Sequence, residues 1–150
     1  MKPDKSKFST KPAYQKINKP WGYELVLTPP DSPVTGKILH LDDGKRFSLQ
    51  YHDEKIETLT LIKGKALLYL EDEKGNLKEI EMEPFKGYYI RPFQKHRCKG
   101  ITDCDIFEAS TREEGNTVRL KDDYGRGTET EEMRKLPDRG WKKPAHEKTK

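Results

Sequence analysis

The sequence predicts an all-β fold, an antiparallel sandwich or barrel, and three observations carry that expectation. Apolar residues alternate with polar ones, as Leu59 and Leu61 do with Thr58 and Thr60, or Ile80 and Met82 with Glu79 and Glu81. Polar turn clusters such as Asp42-Asp43-Gly44, Lys63-Gly64-Lys65 and Asp72-Glu73-Lys74-Gly75-Asn76 separate these runs at short, regular intervals. Before residue 110 no segment repeats its apolar residues with a helical period.

A chain of 150 residues and 17.5 kDa suits one domain with a real core. The hydrophobic share is only 31% and the mean hydropathy is -1.06, so a folded centre with polar, poorly ordered ends is expected. Residues 1–20 hold six Lys and one Asp, and residues 127–150 hold seven Lys or Arg against five acids. Residues 21–126 hold 17 basic and 20 acidic residues. The positive excess is therefore in the ends, and the folded part offers no basic face for nucleic acid. No run of 18 apolar residues exists and the first 16 residues lack a secretory core, so no membrane partner and a cytoplasmic location are expected. In that setting Cys98 and Cys104 read as reduced thiols.

In chain order, residues 1–18 are Lys- and Ser-rich without periodicity and read as a disordered basic arm. Trp21, Gly22 and Tyr23 open a short strand through Leu25, Val26 and Leu27, ended by Thr28-Pro29-Pro30-Asp31-Ser32-Pro33. These aromatics offer surface for a homodimer, since a small domain of this type leaves a sheet edge to cover. Lys37–Leu41, Lys45–His52, Glu57–Ile62, Ala66–Glu71 and Leu77–Met82 read as successive strands, and Cys104–Ser110 as a closing one. Residues 127–150 read as a charged, disordered tail, with a short helix around Glu131–Leu136 as the competing reading.

Gly44 to Gly64 is where chemistry concentrates. On an extended strand Gln50 and His52 share one face, and Glu57 follows a turn that brings the chain back antiparallel beside them. Alternation puts Arg46, Ser48, Gln50 and His52 on the pocket side and Phe47, Leu49 and Tyr51 on the packed side.

Glycine, five residues, a ligand, one residue, His, four residues, Glu, six residues and glycine is the first cupin signature, and Gly44, Gln50, His52, Glu57 and Gly64 meet every spacing. The chain thus resembles the cupins, and the resemblance implies a double-stranded β-helix, the jelly-roll barrel. Ser48-Leu49-Gln50-Tyr51-His52 looks like the variant in the cupin part of type II mannose-6-phosphate isomerases. Pro20-Trp21-Gly22-Tyr23-Glu24, Phe107 to Thr111 and the run Val118 to Arg126 (VRLKDDYGR) are similar to other parts of it. The resemblance covers residues 19–126. Glu83 to His96 takes the place of the second signature and implies His96 as fourth ligand, but Phe85, Arg91 and Phe93 stand where Gly, Pro and Gly are usual.

The implied metal set is Gln50, His52, Glu57 and His96. Mixed nitrogen and oxygen donors suit a divalent transition metal; zinc is favoured, and manganese, iron and nickel are also accommodated. The related isomerases would use the metal to polarise a sugar carbonyl while a base moves a proton between adjacent carbons. Lys55 and Arg126 are the candidates for proton transfer or phosphate binding, and Arg46 for binding substrate. Thr58 and Leu59 replace the His-Trp pair of those isomerases, so the small-molecule partner is a sugar or sugar phosphate of unspecified identity. Two other functions stay open on this fold: another metal-dependent reaction, dioxygenase-like, or carbohydrate binding without turnover.

Overall fold

A computed structural model describes residues 1–144. Eleven strands account for most of the order: β1 (Gln15–Lys19), β2 (Gly22–Val26), β3 (Val34–Leu41), β4 (Leu49–His52), β5 (Glu57–Lys63), β6 (Ala66–Glu71), β7 (Leu77–Glu81), β8 (Gly87–Ile90), β9 (His96–Gly100), β10 (Cys104–Thr111) and β11 (Thr117–Lys121). They form a six-stranded sheet, β1-β2-β3-β10-β5-β8, and a five-stranded sheet, β11-β4-β9-β6-β7. Every strand pairing is antiparallel, and the chain passes repeatedly between the two sheets as in a jelly roll. Among the described residues no helix is long and apolar enough to cross a membrane.

Period-two alternation builds the core between the sheets. Leu39 and Leu41 of β3, Leu59 and Leu61 of β5, Leu68 of β6 and Ile106 of β10 are buried, with polar or half-exposed neighbours between them. Cys98 and Cys104 are buried and free, as the composition implied. Burial pushes both thiols up, Cys104 to about 11, so they are inert apolar filling. Gly64 turns β5 into β6 at φ 80°, and a Cβ there would overlap the Asp103 carbonyl oxygen.

Four expectations change. β1 lies inside the stretch read as a basic arm: Gln15 to Lys19 pairs along its length with β2, and Ile17 is buried. A single apolar residue in a Lys-rich run is too little to show periodicity. The C-terminal segment also folds back. Glu129 pairs with Thr117 through both backbone hydrogen bonds, Thr130 caps the one-turn helix α1 (Glu131–Arg134), and Asp138 accepts the Asn18 amide at 2.8 Å. The tail expectation for residues 145–150 lies outside the described residues.

Third, β4 and β5 are not hydrogen-bonded neighbours. β4 pairs with β9 and β11, whereas β5 pairs with β8 and β10 in the other sheet, so His52 and Glu57 face each other across the barrel interior. Fourth, Trp21 is 3% exposed and belongs to the core, so it offers no surface to a second copy.

Candidate metal centre and its charged surroundings

β4 delivers His52, β9 delivers His96 and β5 delivers Glu57, and their ligand atoms all lie within 4.8 Å of one another. His52 Nε2 is 3.3 Å and His96 Nε2 3.0 Å from the same oxygen, Glu57 Oε1. The other ring nitrogens are anchored, His52 Nδ1 3.0 Å from Thr117 Oγ1 and His96 Nδ1 2.9 Å from the Gln94 carbonyl oxygen. A carbonyl can only accept, so His96 Nδ1 carries a proton and, in the neutral ring, Nε2 presents a lone pair. That nitrogen is buried and has no hydrogen bond, although a carboxylate oxygen lies 3.0 Å away. Two acceptors facing each other in a buried site are reconciled by a cation that both can ligate. Burial and the Lys55 ammonium hold the His52 imidazole at about 4, neutral and fit to ligate at pH 7. The donor set of two imidazoles and one carboxylate therefore fits a divalent metal.

Gln50 borders the same cavity and sits opposite His96 in the β4–β9 register. Its Oε1 already accepts the Ser48 hydroxyl at 2.8 Å, leaving one lone pair for a metal.

The turn that brings His96 in keeps its backbone while losing its usual residues. Phe85 and Phe93 have φ of 61° and 67°, left-handed at the two positions where the resemblance puts glycines. In Arg91-Pro92-Phe93-Gln94, the Gln94 amide donates to the Arg91 carbonyl, with Pro second and a positive φ third, the pattern of a type II turn. The Phe93 amide also donates to the His52 carbonyl at 2.8 Å, tying this turn to the end of β4.

Of the other candidates, Lys55 is in the site. Its ammonium is 3.2 Å from Glu57 Oε2 and 3.1 Å from Glu108 Oε2, and although burial pulls it down, these carboxylates raise it above its usual range. Arg126 lines the cavity and is held by Asp122, which accepts from its Nε at 3.1 Å and its Nη2 at 3.0 Å. Arg46 is not in the site. It makes paired bonds of 2.7 and 2.9 Å to Asp123 on the outer surface. Alternation fails because residues 47 and 48 are irregular, and Phe47 takes the inward place.

Sequence reasoning missed the buried charges. Lys37 sits opposite Glu108 in the β3–β10 register, and its ammonium is 2.7 Å from Glu113, 3.3 Å from Glu24 and 3.9 Å from Glu108. Burial and the Glu57 charge push the Glu108 carboxyl up to about 7 against the pull of Lys37 and Lys55. Period two was the available signal: Lys37 shares a face with Leu39 and Leu41, and Glu108 with Cys104 and Ile106. Arg139 closes the cavity, bonded to Glu113 at 2.6 Å and Glu129 at 3.2 Å. The enclosed volume is about 40 Å³, against the ~10–15 Å³ one water needs, so it takes a metal and a few waters.

No protein-family model and no curated protein matches this chain. Solved structures do match in fold. A single-residue variant of Bacillus subtilis oxalate decarboxylase aligns at TM-score 0.57 and 18% identity, covering 65% of this chain and 27% of that one. KdgF from Halomonas sp. aligns at TM-score 0.56 and 13% identity, covering 67% of this chain and 86% of that one. Another structure of the Bacillus enzyme, at TM-score 0.57 and 17% identity over 65% and 27% of the two chains, is described by its Mn(II) centers. The chain spans about a quarter of the oxalate decarboxylases. None of these neighbours is a mannose-6-phosphate isomerase, and none favours zinc. What this chain has in common with them is the cupin-type jelly-roll fold.

Proposed function

We propose that the protein is a metal-dependent cupin enzyme that isomerises a sugar or sugar phosphate between aldose and ketose forms. The observation that carries the reading is the buried Lys55–Glu108 pair beside the ligand carboxylate of Glu57, which sets an acid–base couple against the metal centre. When bound by His52, His96 and Glu57, with Gln50 as a further oxygen donor, a divalent metal supplies polarisation of a carbonyl oxygen. The cavity of about 40 Å³ does not hold a sugar while Arg139 closes it, so the reaction requires the C-terminal segment to swing aside. Glu108 then accepts the proton from the hydroxyl-bearing carbon beside the carbonyl and returns it to the former carbonyl carbon, while a proton passes from that hydroxyl to the carbonyl oxygen. Lys55 fixes the Glu108 carboxylate and offsets its charge. Arg126 borders the cavity and orients the remainder of the substrate.

The test is proton exchange in heavy water. Protein loaded in turn with Zn, Mn, Fe or Ni is incubated with hexose and pentose phosphates and free sugars, and deuterium at the carbon next to the carbonyl is read by NMR. Incorporation that is lost in Glu108→Gln while metal content is unchanged supports the reading. Full metal occupancy with no exchange or conversion across the panel overturns it, and leaves sugar-dependent thermal stabilisation as the mark of a binding protein.

A further inference from the structure

Outside the metal cavity, and sharing a wall with it, lies a second cavity of about 180 Å³ between the end of β1, β11 and the C-terminal segment. Five cationic residues line it, Lys19, Arg119, Arg126, Arg139 and Lys142, against one acid, Asp138. The Asp138 carboxylate is engaged elsewhere, accepting the Asn18 backbone amide at 2.8 Å. Lys19, Arg119, Arg126 and Arg139 also border the metal cavity, so these four side chains form the partition.

The carboxylates that compensate Lys19, Arg119 and Arg139 are on the inner side, while Arg126 is held by Asp122, which borders neither cavity. Glu24, Glu113 and Glu129 border the metal cavity and none borders the outer one. Arg119 donates to the Gly127 carbonyl and reaches Glu129, and Arg139 is clamped by Glu113 and Glu129, yet in both the Nε is buried without a partner among the described residues. Their side chains are only 7% and 9% exposed. A guanidinium N–H out of water with no acceptor is costly, and both Nε atoms belong to side chains of the partition, so an anion drawn into the outer cavity would supply the acceptor they lack once those side chains adjust. Planar guanidinium forks and an ammonium suit an oxyanion, and the partly buried Trp141 supplies an apolar wall.

We infer that this outer cavity is an oxyanion site for a phosphate group, built by Arg119, Arg139, Arg126 and Lys19 at the mouth of the barrel. As a substrate site it rests on the isomerase reading and narrows the substrate class to phosphate monoesters; as an anion site it stands without it.

The test uses the full chain and inorganic phosphate, with chloride at matched ionic strength to remove plain screening. Phosphate raises the melting temperature saturably, and it changes a tryptophan emission that is absent in Trp141→Phe. Arg119→Gln weakens phosphate binding by at least about tenfold, the scale of a buried charge-assisted contact. Because Arg119→Gln can compromise folding, Lys142→Gln, at an exposed position, is the second variant, and it weakens binding about twofold. Binding persists in His52→Ala, which separates this site from the metal centre. A phosphate effect equal to that of chloride, or untouched by Arg119→Gln, overturns the inference. Loss of binding in a folded, metal-free His52→Ala protein overturns it too, by placing the anion on the metal. Phosphate binding as described without deuterium exchange leaves the anion site standing and removes the isomerase.

Discussion

Single residues carry most of the unusual chemistry here, and Phe85 and Phe93 show how far backbone geometry can outlast residue type. A left-handed conformation costs an ordinary residue roughly 1–2 kcal/mol, and Phe85 bears it while 76% exposed. Phe85→Gly removes that cost and restores about 0.5–1 kcal/mol of unfolded-state entropy, so a net gain of about 0.5–1 kcal/mol is expected. Chemical denaturation reads it, and any loss of stability would mean that the Phe85 ring has a packing role. At the candidate metal centre, His96→Ala removes the imidazole whose Nε2 is otherwise without a hydrogen bond, and Glu57→Gln removes the anionic donor. Both variants should lose metal by elemental analysis, and full stoichiometry in either would displace the assignment. That His52 and Glu57 meet in one place was legible from their spacing in the signature. Arg46 was misplaced because the irregular pair at residues 47 and 48 breaks the alternation between it and Gln50 and His52, which do face the cavity.

Among the elements, the C-terminal segment changes most between sequence and structure. Its order comes from charge: Glu129 meets Lys19, Arg119, Arg134 and Arg139, and Arg139 meets Glu113. Apolar periodicity, the signal on which order is usually read, is absent there, as it is around Ile17. The paired strands β3, β5, β6 and β10 were legible because their leucines and isoleucines recur every second residue. Truncation after residue 127 removes Glu129 and Arg139 and leaves Lys19 and Glu113 buried with fewer partners. A lower melting temperature than the full chain is therefore expected, together with easier metal exchange, since Arg139 no longer closes the cavity. Unchanged melting would show the segment to be an ornament. The same contacts give a pH dependence. Burial alone would raise the Glu129 carboxyl, but Lys19, Arg139 and Arg119 outweigh it and hold it at about 2, below the 4.5 of the unfolded chain. A depressed folded value means that its stabilisation is complete above about 4.5 and is lost as pH falls towards about 2. That contribution is on the order of 3 kcal/mol at neutral pH, and Glu129→Gln should flatten the acid limb of the stability curve over that window.

The whole molecule places its candidate metal ligands on both walls. His52 and His96 belong to the five-stranded sheet and Glu57 to the six-stranded one, so a metal between them bridges the two layers of the barrel. Because the ligands are brought together only by the native packing of β4, β9 and β5, the unfolded chain binds the metal weakly. Binding free energy then appears as folding free energy, about 2.7 kcal/mol at a free metal concentration one hundred times the dissociation constant. Chelation should lower the melting temperature of the entire domain rather than loosen one loop, and hydrogen exchange should show protection lost in β5 and β9 together. In Glu57→Gln only one sheet would still supply strong ligands, and the effect of chelator should largely vanish. Unfolding of the metal-free protein in two separate steps, one sheet before the other, would contradict this coupling. Equal melting with and without chelator at full initial occupancy would show that the metal binds at a place that does not join the sheets.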